Sequence, residues 1–292
     1  MTEPLTDDSA GTLLLGGDLK VRRLGFGAMR ITGEGIWGPP PDSGAAKALL
    51  RRVVELGVNL IDTADSYGPE VSENLIREAL HPYPEGLVIA TKAGLERSGP
   101  GEWPRNGRPE HLRQAVEGSL RRLAVERLDV LQLHAVDPNV PFEESLGALI
   151  ELKGEGKIRH LGLSNVSVDE FERGLAMTEI ISVQNRYNLD DRGSEDVLEA
   201  CERRYIAFFP WRPLAAGDLA RPGRPLDRIA ERHGATPGQI ALAWLLRGSP
   251  VMLPIPGTSS IEHLEENVDA VRIELSAEEF EELARQTDQP DA

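Results

Sequence analysis

Cysteine, lysine and tyrosine are scarce in this sequence of 292 residues. The single cysteine, Cys201, cannot form an internal disulfide, which is compatible with a reducing compartment. Positive charge comes from 27 arginines and only five lysines, so Lys92, at the end of an apolar run, is an unusual choice of cation. Tyr67 is one of four tyrosines and follows another apolar run. The positions of these two rare side chains therefore need an explanation.

Acidic residues outnumber basic ones, and the net charge is −16 with a pI near 4.9. Such a charge repels the backbone of nucleic acids, and no basic patch offsets it, so no nucleic acid is expected as a partner. The N-terminal residues lack the basic and apolar regions of a signal peptide, and no apolar run approaches the length of a transmembrane helix, about 18 residues. We therefore expect a cytoplasmic protein, with no membrane attachment and no obligate protein partner.

Short apolar runs alternate with longer segments of helical spacing along the chain. Eight runs are candidate strands: 24–29, 58–62, 87–91, 128–133, 158–163, 180–183, 206–209 and 251–255. Seven segments carry apolar residues three or four positions apart and are predicted helices: 45–56, 71–80, 109–123, 142–155, 168–176, 195–204 and 237–246. This alternation indicates parallel strand pairing, and eight such units close a (β/α)8 TIM barrel, an α/β fold.

An open, doubly wound sheet would show the same alternation. Its usual G-x-G-x-x-G turn is incomplete here, because residues 24–29 lack the third glycine and no helix follows promptly. We therefore favour the barrel, as a single domain over residues 1–292. Ahead of the first strand, residues 12–15 and 20–23 flank a Gly16-Gly17 turn and predict a β-hairpin, which we expect at the barrel bottom.

The carboxyl ends of the predicted strands carry polar or aromatic residues that a barrel would bring to one mouth. In chain order they are Asp62 with Tyr67 just beyond it, Lys92, His134, Ser164, Asn165, Gln184 and Trp211. A buried ammonium needs a carboxylate partner, and Asp62 is the natural candidate for Lys92, whereas a lysine that reaches solvent needs none. A phenol beside an ammonium has a lowered pKa and can donate its proton to an oxygen that gains charge, whereas a lone tyrosine here is a packing residue.

The remaining strand-end residues also have two interpretations. His134 is a single histidine at these ends, and the other five are scattered, whereas a metal site would need two or three together, so no metal is predicted. Ser164, Asn165 and Gln184 either cap the helices that follow or hydrogen-bond a primary carboxamide, a group that nicotinamide carries.

Five motifs, in order, resemble those of the aldo-keto reductase family over nearly the whole chain. They are DTADSYG at 62–68, TK at 91–92, LQLH at 131–134, GKIRHLGLSN at 156–165 and QNRYNL at 184–189. The resemblance implies NAD(P)H-dependent reduction of aldehydes or ketones, with a small-molecule carbonyl compound as substrate. It further implies a catalytic tetrad of Asp62, Tyr67, Lys92 and His134, in which Tyr67 is the general acid.

The same resemblance assigns cofactor contacts. It implies that Ser164, Asn165 and Gln184 hold the nicotinamide carboxamide, and that Trp211, where the family usually has tyrosine, lies against the ring. Residues 254–260 and 264–267 resemble the phosphate loop and the adenine-binding segment, with these matching positions: Gly257, Thr258, Ser259, His263, Glu266 and Asn267.

Charge at the adenosine end departs from the family pattern. No lysine or arginine occurs from 251 to 271, and His263 stands where an arginine is frequent. The resemblance implies NADPH as the cofactor, whereas the missing positive charge weakens that expectation and leaves NADH as the alternative. Arg221 or Arg224, from the preceding loop, is the candidate substitute for the missing charge.

Two long loops are candidate lids over the mouth: 31–43, which contains Trp37, and 95–108, which contains Trp103. Their glycines and prolines predict mobile or irregular backbone. The connection after His134, residues 135–141, is brief, and few residues follow the last helical segment, 277–286, so we expect an open site for varied small aldehydes. A redox-sensing, nucleotide-binding regulatory subunit with slow turnover is the alternative function, and the complete tetrad favours turnover. A metal-dependent hydrolase would require more histidines at the strand ends.

Overall fold

The computed structural model describes residues 2–220 and 226–286. These residues contain nine strands: β1 Thr12–Leu15, β2 Leu19–Arg22, β3 Phe26–Gly27, β4 Leu60–Asp62, β5 Val88–Ala93, β6 Leu128–Leu133, β7 Ile158–Ser164, β8 Ile180–Arg186 and β9 Ala207–Trp211. The same residues contain eleven α-helices: α1 Asp7–Ala10, α2 Ser43–Glu55, α3 Val71–Leu80, α4 Pro109–Leu123, α5 Phe142–Gly154, α6 Val168–Met177, α7 Glu195–Glu202, α8 Leu226–His233, α9 Pro237–Gly248, α10 Ile261–Asp269 and α11 Ala277–Gln286. None of these helices has the length and apolar character needed to cross a membrane.

Strands β3 to β9 form one parallel sheet in which the order in space follows the order in the chain. Each crossover therefore returns the chain to the next position and places the helices outside the sheet. The segment 251–256 bonds to β9, because the Phe208 N–H donates to the Val251 carbonyl at 2.9 Å and the Leu253 N–H donates to the Phe208 carbonyl at 2.8 Å.

The other side of this segment reaches the first strand of the sheet. The Gly25 N–H donates to the Pro254 carbonyl at 2.9 Å, and the Gly27 N–H donates to the Pro256 carbonyl at 3.2 Å. The segment thus bridges the two edges of the sheet and closes it, which confirms the predicted (β/α)8 barrel.

Prolines explain why the eighth position is not a regular strand. Pro210 has no N–H with which to extend the bonding beyond Phe208, and Pro256 stands where a parallel ladder would return an N–H to the Gly25 carbonyl. The approach is also very close, since a Cβ atom on Gly257 would lie 2.6 Å from the carbonyl oxygen of Gly27. A side chain at this crossing would therefore push the two segments apart.

The first strand is shorter than predicted. Residues 24–29 were expected to be extended, but β3 covers Phe26–Gly27 and a 3-10 helix begins at Ala28. Its partner β4 pairs Ile61 with Phe26 and Asp62 with Gly27, and β4 ends there. Beyond Gly27 the chain thus has no neighbouring strand to extend the ladder and turns into the loop over the mouth.

The predicted N-terminal hairpin lies at the bottom of the barrel, as expected. Strands β1 and β2 pair in antiparallel register across Gly16 and Gly17, whose positive φ angles of 57° and 78° suit a tight turn without a side chain. The Asn59 side chain, just before β4, donates to the Lys20 carbonyl at 2.9 Å. Because β4 begins there, the hairpin covers the amino-terminal end of the barrel.

Two apolar clusters form the core. One fills the barrel and combines hairpin residues with inward-facing strand residues: Leu15, Leu19, Val21, Leu60, Val88, Ala90, Val130, Ile181, Ala207, Phe209, Leu253 and Ile255. The other lies between the strands and the surrounding helices. The filled interior makes the barrel a packed core and leaves its carboxyl-terminal mouth for chemistry.

Helices α2 to α7 and α9 correspond to the seven predicted helical segments, and no boundary differs by more than two residues. Local chemistry accounts for several of their starts. Pro109 occupies the first turn of α4, where its missing N–H has no cost. Ser167 and Glu170 form a capping box at the start of α6, so the serine directly after the β7 loop fixes where this helix begins.

Candidate active site

A buried ion pair lies at the mouth of the barrel. Lys92, near the end of β5, and Asp62, at the end of β4, are almost inaccessible to solvent, and Nζ of Lys92 lies 2.7 Å from Oδ2 of Asp62. The ammonium also donates to the Thr63 carbonyl at 2.8 Å and to the Tyr67 hydroxyl at 3.3 Å. All three protons of the ammonium thus have acceptors, as a buried charge requires.

The pair holds its charges despite burial. Burial alone lowers the pKa of Lys92, but Asp62 and Tyr67 outweigh that effect and raise it. Burial raises the pKa of the Asp62 carboxyl, against the Lys92 ammonium and the Gln184 amide. Both carboxylate oxygens accept hydrogen bonds from these two donors, so we infer that Asp62 is ionised.

Tyr67 is buried beside this pair, and its pKa differs from the expectation. Burial raises the pKa of the phenol above its ordinary value of 10.0, while the Lys92 ammonium acts in the opposite direction. Lys92 does lower the pKa of Tyr67, as expected, but the cost of desolvating a phenolate is larger than this effect, so the pKa is raised overall. The phenol consequently keeps its proton at neutral pH.

His134 lies beside the phenol and completes the cluster. Its ring centroid lies 6.0 Å from that of Tyr67 in an edge-to-face arrangement. Burial, followed by the nearby Lys92 ammonium, holds the pKa of His134 well below its ordinary value of 6.5. The imidazole is therefore neutral near pH 7, and Nδ1 lies 3.4 Å from the Ser66 hydroxyl. One ring nitrogen of the neutral ring carries a proton that it can donate.

Gln184, one of the expected carboxamide-binding residues, contacts the ion pair. The Gln184 amide donates to Oδ1 of Asp62 at 2.8 Å and to Oε1 of Gln132 at 3.0 Å. Both N–H groups of the Gln184 side chain are thus used. Within the described residues, its side-chain oxygen Oε1 accepts no hydrogen bond. Sequence reasoning did not predict the contact of Gln132 with Gln184. The signal that could have indicated it is a single amide side chain within the apolar strand LDVLQL.

A second network links Ser164, Asn165 and Trp211. The Asn165 amide donates to the His134 carbonyl at 2.9 Å and to the Ser164 hydroxyl at 3.0 Å. The Trp211 indole N–H donates to Oδ1 of Asn165 at 2.9 Å. Asn165 adopts a left-handed backbone with φ of 57°, a conformation that asparagine tolerates better than most residues. The structure thus brings these three residues to the same mouth as the tetrad.

The predicted adenosine-binding residues lie around the start of α10. Thr258 accepts a hydrogen bond from the Ser260 N–H at 3.0 Å, and Ser260 caps the helix by accepting from the His263 N–H at 3.3 Å. Ser259 and His263 are exposed, Glu266 is half-buried and Asn267 is buried. A helix start with free backbone amides suits an anion.

One basic residue near this loop was missed by sequence reasoning. The side-chain stem of Arg30 passes Gly257, and its Cγ would lie 3.6 Å from a Cβ atom placed there. The two residues are far apart in sequence, and no motif links them. Arg221 and Arg224, the expected substitutes for missing positive charge, lie outside the described residues.

The two candidate lids are linked by Arg97 of the second loop, which donates to the Ile36 carbonyl of the first at 2.7 Å. An isolated bridge connects Trp37 to Gly68, and another connects Leu95 to Arg105 within the second loop. The Trp103 ring stands edge-on to Tyr67 with centroids 6.3 Å apart. The backbone of both loops is irregular, as expected. These bridges and hydrogen bonds fix the loops to each other and to the segment after Tyr67. Among residues 2–220 and 226–286, no group of three or more potential metal-binding side chains occurs.

Three comparisons identify relatives of the chain. The Aldo/keto reductase family model matches residues 23–287. An uncharacterised oxidoreductase of Schizosaccharomyces pombe is 54% identical over 283 residues, 97% of this chain and 92% of its own. Pyridoxine 4-dehydrogenase of Escherichia coli is 42% identical over 276 residues, 92% of this chain and 96% of its own.

A solved structure agrees with the sequence comparisons. The aldo-keto reductase of Klebsiella pneumoniae in complex with NADPH matches with a TM-score of 0.80 at 28% identity, covering 100% of this chain and 97% of that one. Fold and sequence relatives thus coincide over nearly the full length. The chain belongs to the aldo/keto reductase family of oxidoreductases.

Proposed function

We propose that the protein reduces aldehydes or ketones to alcohols with NADPH, and that Tyr67 is the general acid. The observation that carries this proposal is the contact of one buried ammonium, Lys92, with both the Asp62 carboxylate and the Tyr67 hydroxyl. A buried lysine placed for structure alone needs the carboxylate but has no need of a phenol.

Each member of the tetrad has a separate role in this proposal. A bound reduced nicotinamide supplies a hydride to the carbonyl carbon, and the carbonyl oxygen gains negative charge. Tyr67 gives its proton to that oxygen, and Lys92 stabilises the phenolate that remains. Asp62 holds the Lys92 ammonium in place. The neutral His134 donates a hydrogen bond that orients the carbonyl, which a charged or freely rotating imidazole would do less well.

The residues around the mouth fit a nicotinamide cofactor. Both N–H groups of Gln184 are engaged, so its oxygen is left to accept from a carboxamide N–H. Ser164 and Asn165 supply further polar groups, and the half-buried Trp211 offers a flat face to the ring. Gly257 admits a phosphate close to the backbone at the start of α10.

NADPH is proposed over NADH. The Klebsiella pneumoniae relative, which matches the whole length of this chain, was crystallised with NADPH. The stem of Arg30 passes Gly257, and its charge is the proposed replacement for the basic residues that segment 251–271 lacks. His263, exposed in the first turn of α10, is proposed as a further donor to a phosphate.

An aromatic aldehyde is the proposed substrate. The Escherichia coli relative is named for dehydrogenation of pyridoxine at its 4-position, and the reverse of such a reaction reduces an aldehyde on a pyridine ring. The Trp103 ring beside Tyr67 provides an apolar wall for a planar molecule. Small varied aldehydes remain part of the proposal because the connection between β6 and α5, residues 134–141, is short.

The test is turnover by the purified protein. We expect consumption of NADPH with pyridoxal and with 4-nitrobenzaldehyde, followed as loss of NADPH absorbance, and formation of the matching alcohols. Binding of NADPH without consumption by any aldehyde or ketone would instead support the redox-sensor alternative.

A further inference from the structure

The guanidinium of Arg97 joins three separate loops around the mouth. Each of its five N–H groups has a backbone carbonyl as acceptor, and the acceptors are Glu102 at 2.9 Å, Ile36 at 2.7 Å, Ser66 at 3.1 Å, Gly35 at 3.1 Å and Gly99 at 3.3 Å. Two carbonyls belong to the first lid, two to the second, and one to the segment that carries Tyr67. Three of these hydrogen bonds, to Ile36, Ser66 and Gly99, are partly buried, where a backbone carbonyl needs a donor.

The same guanidinium lies against two indole rings. Its central carbon is 3.7 Å from the centroid of the Trp103 ring and 5.5 Å from that of Trp37. Within the described residues, no carboxylate lies within salt-bridge distance of Arg97. The side chain is therefore used for its planar set of donors and its flat cationic face, which lysine does not have.

This arrangement fixes the position of an aromatic wall beside the reacting group. Trp103 stands edge-on to Tyr67 at 6.3 Å between centroids. A carbonyl that accepts a proton from the Tyr67 hydroxyl would carry its substituent into the space next to Trp103. The orientation of that indole thus decides whether a planar substituent finds a matching surface.

We propose that Arg97 is a positioning residue that sets substrate specificity: it holds Trp103 and Trp37 in place so that the site prefers neutral, planar aromatic aldehydes to aliphatic ones. The inference rests on the proposed reductase function. Because all five donors of Arg97 are occupied, the residue offers no hydrogen bond to a substrate carboxylate and acts through the two indoles.

The experiment compares 4-nitrobenzaldehyde with propanal in the wild type and in the Arg97→Lys variant. We expect the ratio of kcat/KM for the aromatic to that for the aliphatic aldehyde to fall at least about tenfold in the variant. The loss should lie in KM for 4-nitrobenzaldehyde, with its kcat and the Kd for NADPH kept near the wild-type values. The matched control is Arg105→Lys, in the same loop; within the described residues, the Arg105 side chain donates one hydrogen bond, to the Val136 carbonyl. It should leave the ratio within about twofold.

A second variant keeps the test decisive if Arg97→Lys does not fold. Trp103→Leu removes the ring but none of the five hydrogen bonds, and it should lower the same ratio to a similar extent. An unchanged ratio in the folded variants, or equal losses for both aldehydes, would overturn the specificity role. Absence of turnover in the wild type with any carbonyl compound would instead refute the proposed function, so the two failures are distinguishable.

Discussion

Nζ of Lys92 lies 3.3 Å from the hydroxyl oxygen of Tyr67 at the mouth of the barrel, and both side chains are buried. Two effects act in opposite directions on the pKa of this phenol. Burial favours the neutral phenol, whereas the ammonium favours the phenolate. The phenol therefore keeps its proton at neutral pH, and a phenolate formed in the proposed reaction would have the Lys92 ammonium beside it as counter-charge.

Replacement of Tyr67 by phenylalanine removes the proton donor and keeps the ring. We expect kcat for carbonyl reduction to fall by about 100- to 10,000-fold, the usual contribution of positioned acid catalysis. Binding of NADPH should stay near the wild-type affinity because the ring packing is unchanged. Steady-state kinetics and fluorescence titration measure both quantities. Tyr205→Phe, at a residue 85% exposed, is the matched control, and an unchanged kcat in Tyr67→Phe would show that the proton has another source.

Replacement of Lys92 by methionine tests the buried ion pair. The variant leaves the Asp62 carboxylate buried without its ammonium, so we expect the free energy of unfolding to fall by about 3–5 kcal/mol and activity to be lost. The double variant Lys92→Met, Asp62→Asn removes both charges and should recover most of the stability but no activity. Urea unfolding and turnover assays separate the two effects.

A control for this pair is available on the surface. Lys47 pairs with Glu78 at 3.3 Å, and both side chains are partly exposed. Lys47→Met should change the unfolding free energy by at most about 1 kcal/mol. Wild-type turnover in Lys92→Met would refute the role of Lys92 in supporting the phenolate.

The pH dependence of reduction follows from the two shifted groups. The pKa of Tyr67 is raised above 10.0, so the protonated acid persists through neutral and mildly alkaline pH. The pKa of His134 is lowered well below 6.5, so the neutral imidazole persists down to acidic pH. We therefore expect a flat profile of kcat/KM from about pH 7 to about pH 9, with losses only beyond the two shifted values. A half-maximal point near pH 6.5 would contradict the assignment of His134 as a neutral donor.

Trp211 is expected to report cofactor binding. Titration with NADPH should quench tryptophan fluorescence, and the Trp211→Leu variant should lose most of the quenching. Loss of stacking costs about 0.5–1.5 kcal/mol, which raises the Kd about 2- to 13-fold. Trp37→Phe removes a fluorophore that has no assigned cofactor contact and should retain the quenching. The same titration with NADH compares the two cofactors, and a tighter Kd for NADH would reverse the proposed preference.

Strand ends were the most readable part of the sequence. The alternation of apolar runs with helical spacing predicted the barrel, and parallel strands necessarily bring Asp62, Lys92 and His134 to one mouth. The direction of the Tyr67 pKa was not readable, because sequence does not give the extent of burial, and burial outweighs the effect of Lys92.

Contacts between distant loops were also beyond sequence reasoning. Arg97 donates to the carbonyl of Ile36, a residue 61 positions away. Neither residue belongs to a periodic pattern or a biased segment that would have predicted the contact. Arg30 and Gly257 meet because the first strand and the eighth segment cross where neither has room for a side chain. Such approaches depend on how the barrel closes, which only the fold determines.

Pro210, in β9, and Pro256, in the segment 251–256, affect how the barrel opens locally. The segment 251–256 makes fewer hydrogen bonds to its neighbours than a regular strand, so transient local opening of the barrel costs least there. When it opens, the amide protons of Gly25 and Gly27 can exchange with solvent. The segment continues directly into Gly257 and the start of α10. A dinucleotide bound there, as proposed, would hold this segment in place, so we expect NADPH to slow the exchange of these two amide protons.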